Sequence, residues 1–200
     1  MKRLVLLASL LLCLFGCGTG LYEYKNVSPE SKYQNFKEIP VYMDKNFTDK
    51  EREALLAATH EWNYALNGYI RLDVKTIKFD KETKDGLDIV KKVHNTGEGY
   101  VMLKLNHDDP MLNDTVDEDD GTLAFVNRLG NSGHIMVVLA DRIGGRDLRS
   151  IVLHEYGHLL GAMHVMAKSL MYPAYGGGSS YRCIDRITIA QICNYQKIDC

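Results

Sequence analysis

The chain has 200 residues, and 24 Lys and Arg set against 26 Asp and Glu leave a formal net charge of −2. That balance lacks the basic surplus with which proteins hold a polyanion, so no nucleic-acid partner is expected. The length suits one domain with a sizeable core, and no internal repeat or low-complexity tract points elsewhere.

The amino terminus reads as an address. Met1-Lys2-Arg3 is a short positive start, and residues 4–15 form an apolar run too short to span a bilayer comfortably. The run ends in Leu14-Phe15-Gly16-Cys17. This string resembles a bacterial lipoprotein signal, which implies that residues 1–16 are removed and that Cys17 carries the lipid. An ordinary cleaved signal peptide and an uncleaved anchor are the competing readings. With the lipid, the protein sits in the bacterial cell envelope, at the outer membrane if the host is Gram-negative. Residues 17–37 are polar and read as a tether, or else as a first irregular layer packed on the domain. The domain itself is placed at residues 38–200, and a monomer is expected.

Within the domain, residues 39–43 predict a first strand. Thr48-Asp49-Lys50-Glu51 is a capping-box pattern opening a helix to about Asn67, with Leu55, Ala58, Trp62 and Leu66 on one stripe. His60 and Glu61 belong to that helix as solvent-facing or structural groups, and Gly68 ends it. The β-branched and apolar runs at 70–79, 87–93, 100–105, 123–127 and 134–140 predict strands. Residues 146–160 predict a helix. A terminal helix follows at 187–196, with Ile187, Ile189, Ile192 and Tyr195 as its packing residues.

The chemistry is concentrated in residues 154–164, His-Glu-Tyr-Gly-His-Leu-Leu-Gly-Ala-Met-His. Two His at i and i+4 share a helix face, so His154 and His158 can reach one metal ion. Gly161 sits where the helix would end, because only Gly takes the left-handed conformation cheaply, and the turn brings His164 back as a third nitrogen ligand. Three protein ligands with a fourth position open describe catalytic rather than structural zinc. Glu155 lies beside the ligands, where it can take a proton from an attacking water. Seven residues beyond His164 stands Met171, in Ser169-Leu170-Met171-Tyr172-Pro173.

This HExxHxxGxxH string followed by Met171 resembles the metzincin clan of zinc endopeptidases. The segment Pro173-Ala174-Tyr175 is similar to the S1′ wall of the matrixin branch, and Gly121-Thr122-Leu123-Ala124 with residues 130–134 resembles the stretch ending in that branch's edge strand. The resemblance spans roughly residues 38–197. It implies an α+β, metzincin-like fold: a mixed twisted sheet, an active-site helix, a Met-turn at Met171 and a C-terminal helix. It also implies one catalytic Zn2+ on His154, His158 and His164, Glu155 as general base, and an extended protein or peptide substrate lying against Leu123 and Ala124, with Pro173 and Tyr175 opposite. Phe125 and Met136 replace ligands of the family's structural zinc. His107, Asp109 and His134 do not reproduce that ligand set, so no second zinc is expected.

Two further features stay open in the sequence. Asp114, Asp117, Glu118, Asp119 and Asp120 offer hard oxygen ligands for Ca2+, in a spacing that matches no loop template. Cys183, Cys193 and Cys200 can form one disulfide in any of three pairings, or remain reduced. The reading these residues favour is a zinc-dependent endopeptidase. A catalytically inactive surface-binding lipoprotein and a zinc hydrolase of cell-envelope peptides are the alternatives.

Overall fold

The structure is a computed structural model and describes residues 37–66, 69–80, 82–112, 121–127, 134–176 and 182–199. All of them fall in one compact unit, Ser31–Cys200. Cys17, Gly68, the 114–120 acidic cluster, residues 130–133 and Cys200 lie outside the described residues, as do all but the last residue of the 17–37 tether.

Among the described residues, five strands form one mixed sheet: β1 (Lys37–Asp44), β2 (Ile70–Phe79), β3 (Tyr100–Leu105), β4 (Ala124–Asn127) and β5 (Ile135–Leu139), in the order β2-β1-β3-β5-β4. The first four in that order run parallel, and β4 pairs antiparallel with β5 at the edge, Ala124 opposite Val138 and Asn127 opposite Ile135. The helices are α1 (Asp49–Ala65), α2 (Lys84–Thr96), a four-residue α3 (Ala140–Ile143), α4 (Leu148–Leu160) and α5 (Arg186–Gln196). This is the mixed α/β arrangement that the sequence implied.

β3 shows why the sheet is sandwiched. All of Tyr100-Val-Met-Leu-Lys-Leu105 except Lys104 is buried, with neighbouring side chains sent to opposite faces. Tyr100 and Met102 join Met136, Val138 and the apolar sides of α1, α4 and α5 in the larger core. Val101, Leu103 and Leu105 join Val137, Leu139 and Val93 of α2 in a second core on the opposite face.

Residues 87–93 are a correction. They were expected as a strand and instead form the centre of α2. Thr83 caps its start by accepting from the Gly86 N–H at 3.1 Å, and Gly97, at φ +67°, closes its end with its N–H on the Val93 carbonyl. Ile89, Val90 and Val93 recur at helical spacing and pack on the sheet, while Leu87 stays 36% exposed. Topology decides against their strand propensity: parallel strands need a crossover connection, and α2 supplies it between β2 and β3.

The terminal helix begins one residue earlier than expected, and only part of its expected face packs. Ile192 is fully buried and Ile189 partly so, but Ile187 is 45% and Tyr195 60% exposed. Both point off the core because the buried stripe follows Thr188, Ile192 and Cys193 instead. Cys183 and Cys193 are both disulfide-bonded.

Candidate active site

α4 carries the first two histidines, and the sequence immobilises this helix from several directions. Asp147 caps its start, accepting from Ser150 N–H at 3.4 Å and from Ser150 Oγ at 2.5 Å. Trp62 Nε1 of α1 donates to the Leu153 carbonyl at 3.0 Å. The Tyr156 hydroxyl lies 2.8 Å from Thr59 Oγ1 of α1, and Tyr100 OH of β3 donates to the Leu159 carbonyl at 2.9 Å. From the other side, Gln196 Nε2 of α5 donates to the Leu160 carbonyl at 2.8 Å. Glu61 is structural too, pairing with Arg149 of α4.

Gly161 then breaks the helix as expected. It sits at φ +110°, with its N–H on the His158 carbonyl and the Ala162 N–H on the Gly157 carbonyl. It has a second reason to be glycine: an added Cβ would fall 2.1 Å from the ring of Tyr195. The reversal brings His164 back over the helix.

The three imidazoles converge. His154 Nε2 and His158 Nε2 lie 3.2 Å and 3.0 Å from His164 Nε2. Their orientation comes from the other ring nitrogen: His154 Nδ1 donates to the Leu170 carbonyl at 2.7 Å and His158 Nδ1 to the Ala162 carbonyl at 2.9 Å. With Nδ1 carrying the proton, each Nε2 presents a lone pair to the shared point. Burial lowers the pKa of His154 to about 4, with the Leu170 carbonyl opposing and His164 reinforcing, so the ring is neutral and able to act as a ligand at pH 7. Lone pairs crowded this closely repel unless a cation lies among them. The donor set therefore fits one Zn2+, and these three are the described side chains that converge as a candidate metal site.

Glu155 follows on the same helix and lines the cleft. It is 6% exposed, its Oε2 has no hydrogen-bond partner, and burial alone lifts its pKa to about 8. A fully desolvated, unpartnered carboxyl oxygen costs stability, so the arrangement fits a group whose partner is a water and whose counter-charge is a bound cation.

Met171 lies beneath the cluster, fully buried, and Gly157 is where it enters α4: a Cβ there would meet Met171 Sδ at 2.4 Å. The turn is fastened by a residue that sequence reasoning missed. Asp185, the N-cap of α5, accepts from the Leu170 N–H at 2.7 Å and Ser169 Oγ at 2.9 Å, as well as from the N–H groups of Ile187 and Thr188 and the Thr188 hydroxyl. Burial pushes its carboxyl up, but these hydrogen bonds outweigh burial and hold it below the usual carboxylate range. An Asp immediately before the apolar run of α5 was the available signal.

The cleft in front of the histidines has a volume of about 810 Å³. Leu123 and Ala124 line it beside β4, and Pro173 and Tyr175 line it as well, so the structure brings together all four residues expected to touch substrate. Arg146, Ser150, Ile151, Met163 and Tyr172 also line it and were not anticipated. The Tyr175 hydroxyl is fixed by accepting from the Asp147 N–H at 2.9 Å.

His107, Asp109 and His134 have other engagements. His107 Nδ1 lies 2.5 Å from Asp141, Asp109 accepts from the Met111 N–H, and His134 Nδ1 lies 3.0 Å from the Gly99 carbonyl, its ring stacked on Tyr100.

Residues 36–192 match the family model of Peptidase_M10, Matrixin. The chain belongs to the matrixin family. Among solved structures, it is similar to metalloproteinase-II from Bacteroides fragilis, at 14% identity and a TM-score of 0.49 over 86% of this chain and 55% of that one. It therefore spans about half the length of that protein. High choriolytic enzyme 1, a hatching-enzyme zinc-protease from Oryzias latipes, is similar at 14% identity and a TM-score of 0.44, over 81% and 90% of the two chains. No curated protein matches the sequence.

Proposed function

We propose that this matrixin is a zinc-dependent endopeptidase that hydrolyses peptide bonds of proteins. The observation that carries the reading is the three Nε2 lone pairs converging beside the buried, unpartnered Oε2 of Glu155. Zinc bound by His154, His158 and His164 would act as the Lewis acid that polarises the scissile carbonyl and acidifies the attacking water. Glu155 takes the proton from that water at Oε2 and passes it to the leaving amine. The charge of a bound zinc would favour the ionised carboxylate that the first of these transfers requires. An extended substrate pairs with the exposed edge of β4 and passes beneath Pro173 and Tyr175, which fixes its register. Met171 makes no contact with substrate in this reading, and supports the ligands from below. Its membrane address, through a lipid on Cys17, is a proposal from the sequence string alone. Loss of fatty-acid labelling in Cys17→Ala tests it.

The test of the chemistry uses the zinc-loaded full chain and a mixed peptide library. Cleavage is expected, abolished by a chelator, and lowered by about 10² to 10⁴-fold in Glu155→Ala, which keeps the three nitrogen ligands and its zinc. A Glu155→Ala chain cleaving at the wild-type rate would remove Glu155 from the mechanism. No cleavage by the wild type would turn the reading towards a surface-binding lipoprotein, and cleavage confined to cell-envelope peptides towards an envelope hydrolase.

A further inference from the structure

Arg146, Ser150, His154 and His158 are spaced by fours, and all four line the cleft. The first lies two residues before α4 begins. It precedes the N-terminal end of α4, whereas His158 lies in the last turn and Met163 and His164 follow the C-terminal end. The Arg146 guanidinium is oriented but not neutralised. Nη1 donates to the backbone carbonyls of Arg142 at 2.8 Å and Ile143 at 3.5 Å, and both acceptors are uncharged. Among the described residues, no carboxylate lies within ion-pair distance of Arg146.

Two further charged groups stand near Arg146 among the described residues. Asp147 is the neighbouring carboxylate, and it is occupied by the Ser150 N–H and hydroxyl at the start of α4. A second guanidinium, that of Arg182, stands 5.9 Å from the ring centre of Tyr175, the side chain that walls this end of the cleft. Among the described residues, Arg146 and Arg182 stand here against one carboxylate, that of Asp147, already engaged in the helix cap. The surrounding walls, Leu123, Ile151 and Tyr175, are largely apolar and would shield a charge placed between them from water.

We propose that the cleft selects substrates presenting a carboxylate just beyond the scissile bond, and that Arg146 is the residue that binds it. The inference rests on the peptidase reading for the position of the scissile bond, and adds to it a substrate class. A carboxylate entering past His154 and Ser150 meets the outward donors of a preoriented guanidinium, the geometry in which Arg binds carboxylates best. The carboxylate has two sources, an Asp or Glu side chain following the cleaved bond or the carboxyl terminus of a short product-like peptide.

The experiment compares peptides that differ only in the residue after the cleaved bond (Glu, Gln, Leu or Lys), each with a free or amidated carboxyl terminus. Cleavage is followed with the zinc-loaded full chain, and binding by calorimetry with Glu155→Ala. Glu is expected to exceed its uncharged isostere Gln by roughly three- to tenfold in kcat/KM and in affinity, a range set by Arg146 being solvent-exposed. The advantage should shrink as salt rises from roughly 50 to 500 mM, and vanish in Arg146→Ala. Arg146→Glu should prefer Lys, and its zinc content and melting temperature, matching wild type, show that the fold is intact. If the advantage follows the free terminus instead of the side chain, the carboxylate site stands and its source is assigned. Glu and Gln treated alike, or a preference that survives Arg146→Ala, overturns the proposal. Cleavage without discrimination leaves the peptidase reading standing, whereas Arg146-dependent binding without any cleavage does the reverse.

Discussion

α2 and α4 have the same length and pack on opposite faces of the same sheet, yet ten of thirteen residues are buried in α4 and two of thirteen in α2. α2 is a cover: one apolar stripe rests on the sheet and the rest faces water. α4 is a scaffold, gripped by Trp62, Thr59, Tyr100 and Gln196, which hold its carbonyls and Tyr156 from three neighbouring elements. The difference follows from the tasks. A helix that closes one face needs only area, whereas ligands that must meet within about half an ångström of a fixed geometry need their backbone held from every side.

The comparison breaks most severely at Trp62. The side chain is fully buried between α1 and α4, and its indole N–H holds the carbonyl preceding His154. Trp62→Ala is expected to cost about 3–5 kcal/mol, through lost burial and the cavity left behind. Urea unfolding of the chelated chain measures this without a contribution from zinc. A loss below about 1 kcal/mol would mean that α4 is held chiefly by its other contacts.

Asp185 sharpens the comparison at the turn below α4. Its carboxylate joins the start of α5 to Ser169 and Leu170, and the Leu170 carbonyl orients His154. Asp185→Asn keeps the size but turns one acceptor into a donor facing N–H and O–H groups, with an expected cost of about 1–3 kcal/mol. The folded-state pKa is depressed, so this stabilisation is present above the unfolded carboxyl pKa near 4 and is lost as pH falls through the folded value. The stability gap between wild type and Asp185→Asn should therefore be widest at neutral pH and narrow below about pH 4. A gap that is constant with pH would assign the role to shape, not charge.

The same contrast explains what could be read in the sequence. The three converging histidines were legible because a metal site imposes fixed residue types at fixed spacing, and Gly161 because a reversal there demands a left-handed residue. Leu123, Ala124, Pro173 and Tyr175 came through family resemblance, and the structure places all four on the cleft. α2 was misread because Ile89, Val90 and Val93 favour strands locally, and only the parallel pairing of β1 with β2 and β3 demands a helix there. Asp185 and Trp62 act through backbone groups about 15 and 91 residues away. The sequence marks Asp185 as a helix cap and Trp62 as part of an apolar stripe, but contacts to backbone leave no pattern in residue identity at the other end, so nothing in the chain marks which groups they hold.

The smallest effect is expected on α2, where the sequence expected a strand. Leu87 is 36% exposed and lies in the first turn of the helix, outside the stripe formed by Ile89, Val90 and Val93. If residues 87–93 formed a buried strand, Leu87 would share a face with Ile89 and Val93, and truncating it would open a cavity costing about 2–5 kcal/mol. In a surface helix little apolar area is lost, and alanine has the higher helix propensity, so Leu87→Ala should shift stability by no more than about 0.5 kcal/mol. Zinc content and peptide cleavage should not change at all, because α2 packs on the face of the sheet opposite α4. Parallel unfolding curves for Leu87→Ala and Val93→Ala check this directly: the buried Val93 should cost clearly more than the exposed Leu87. Equal costs at the two positions would mean that α2 is gripped on both sides, and the contrast with α4 would fail.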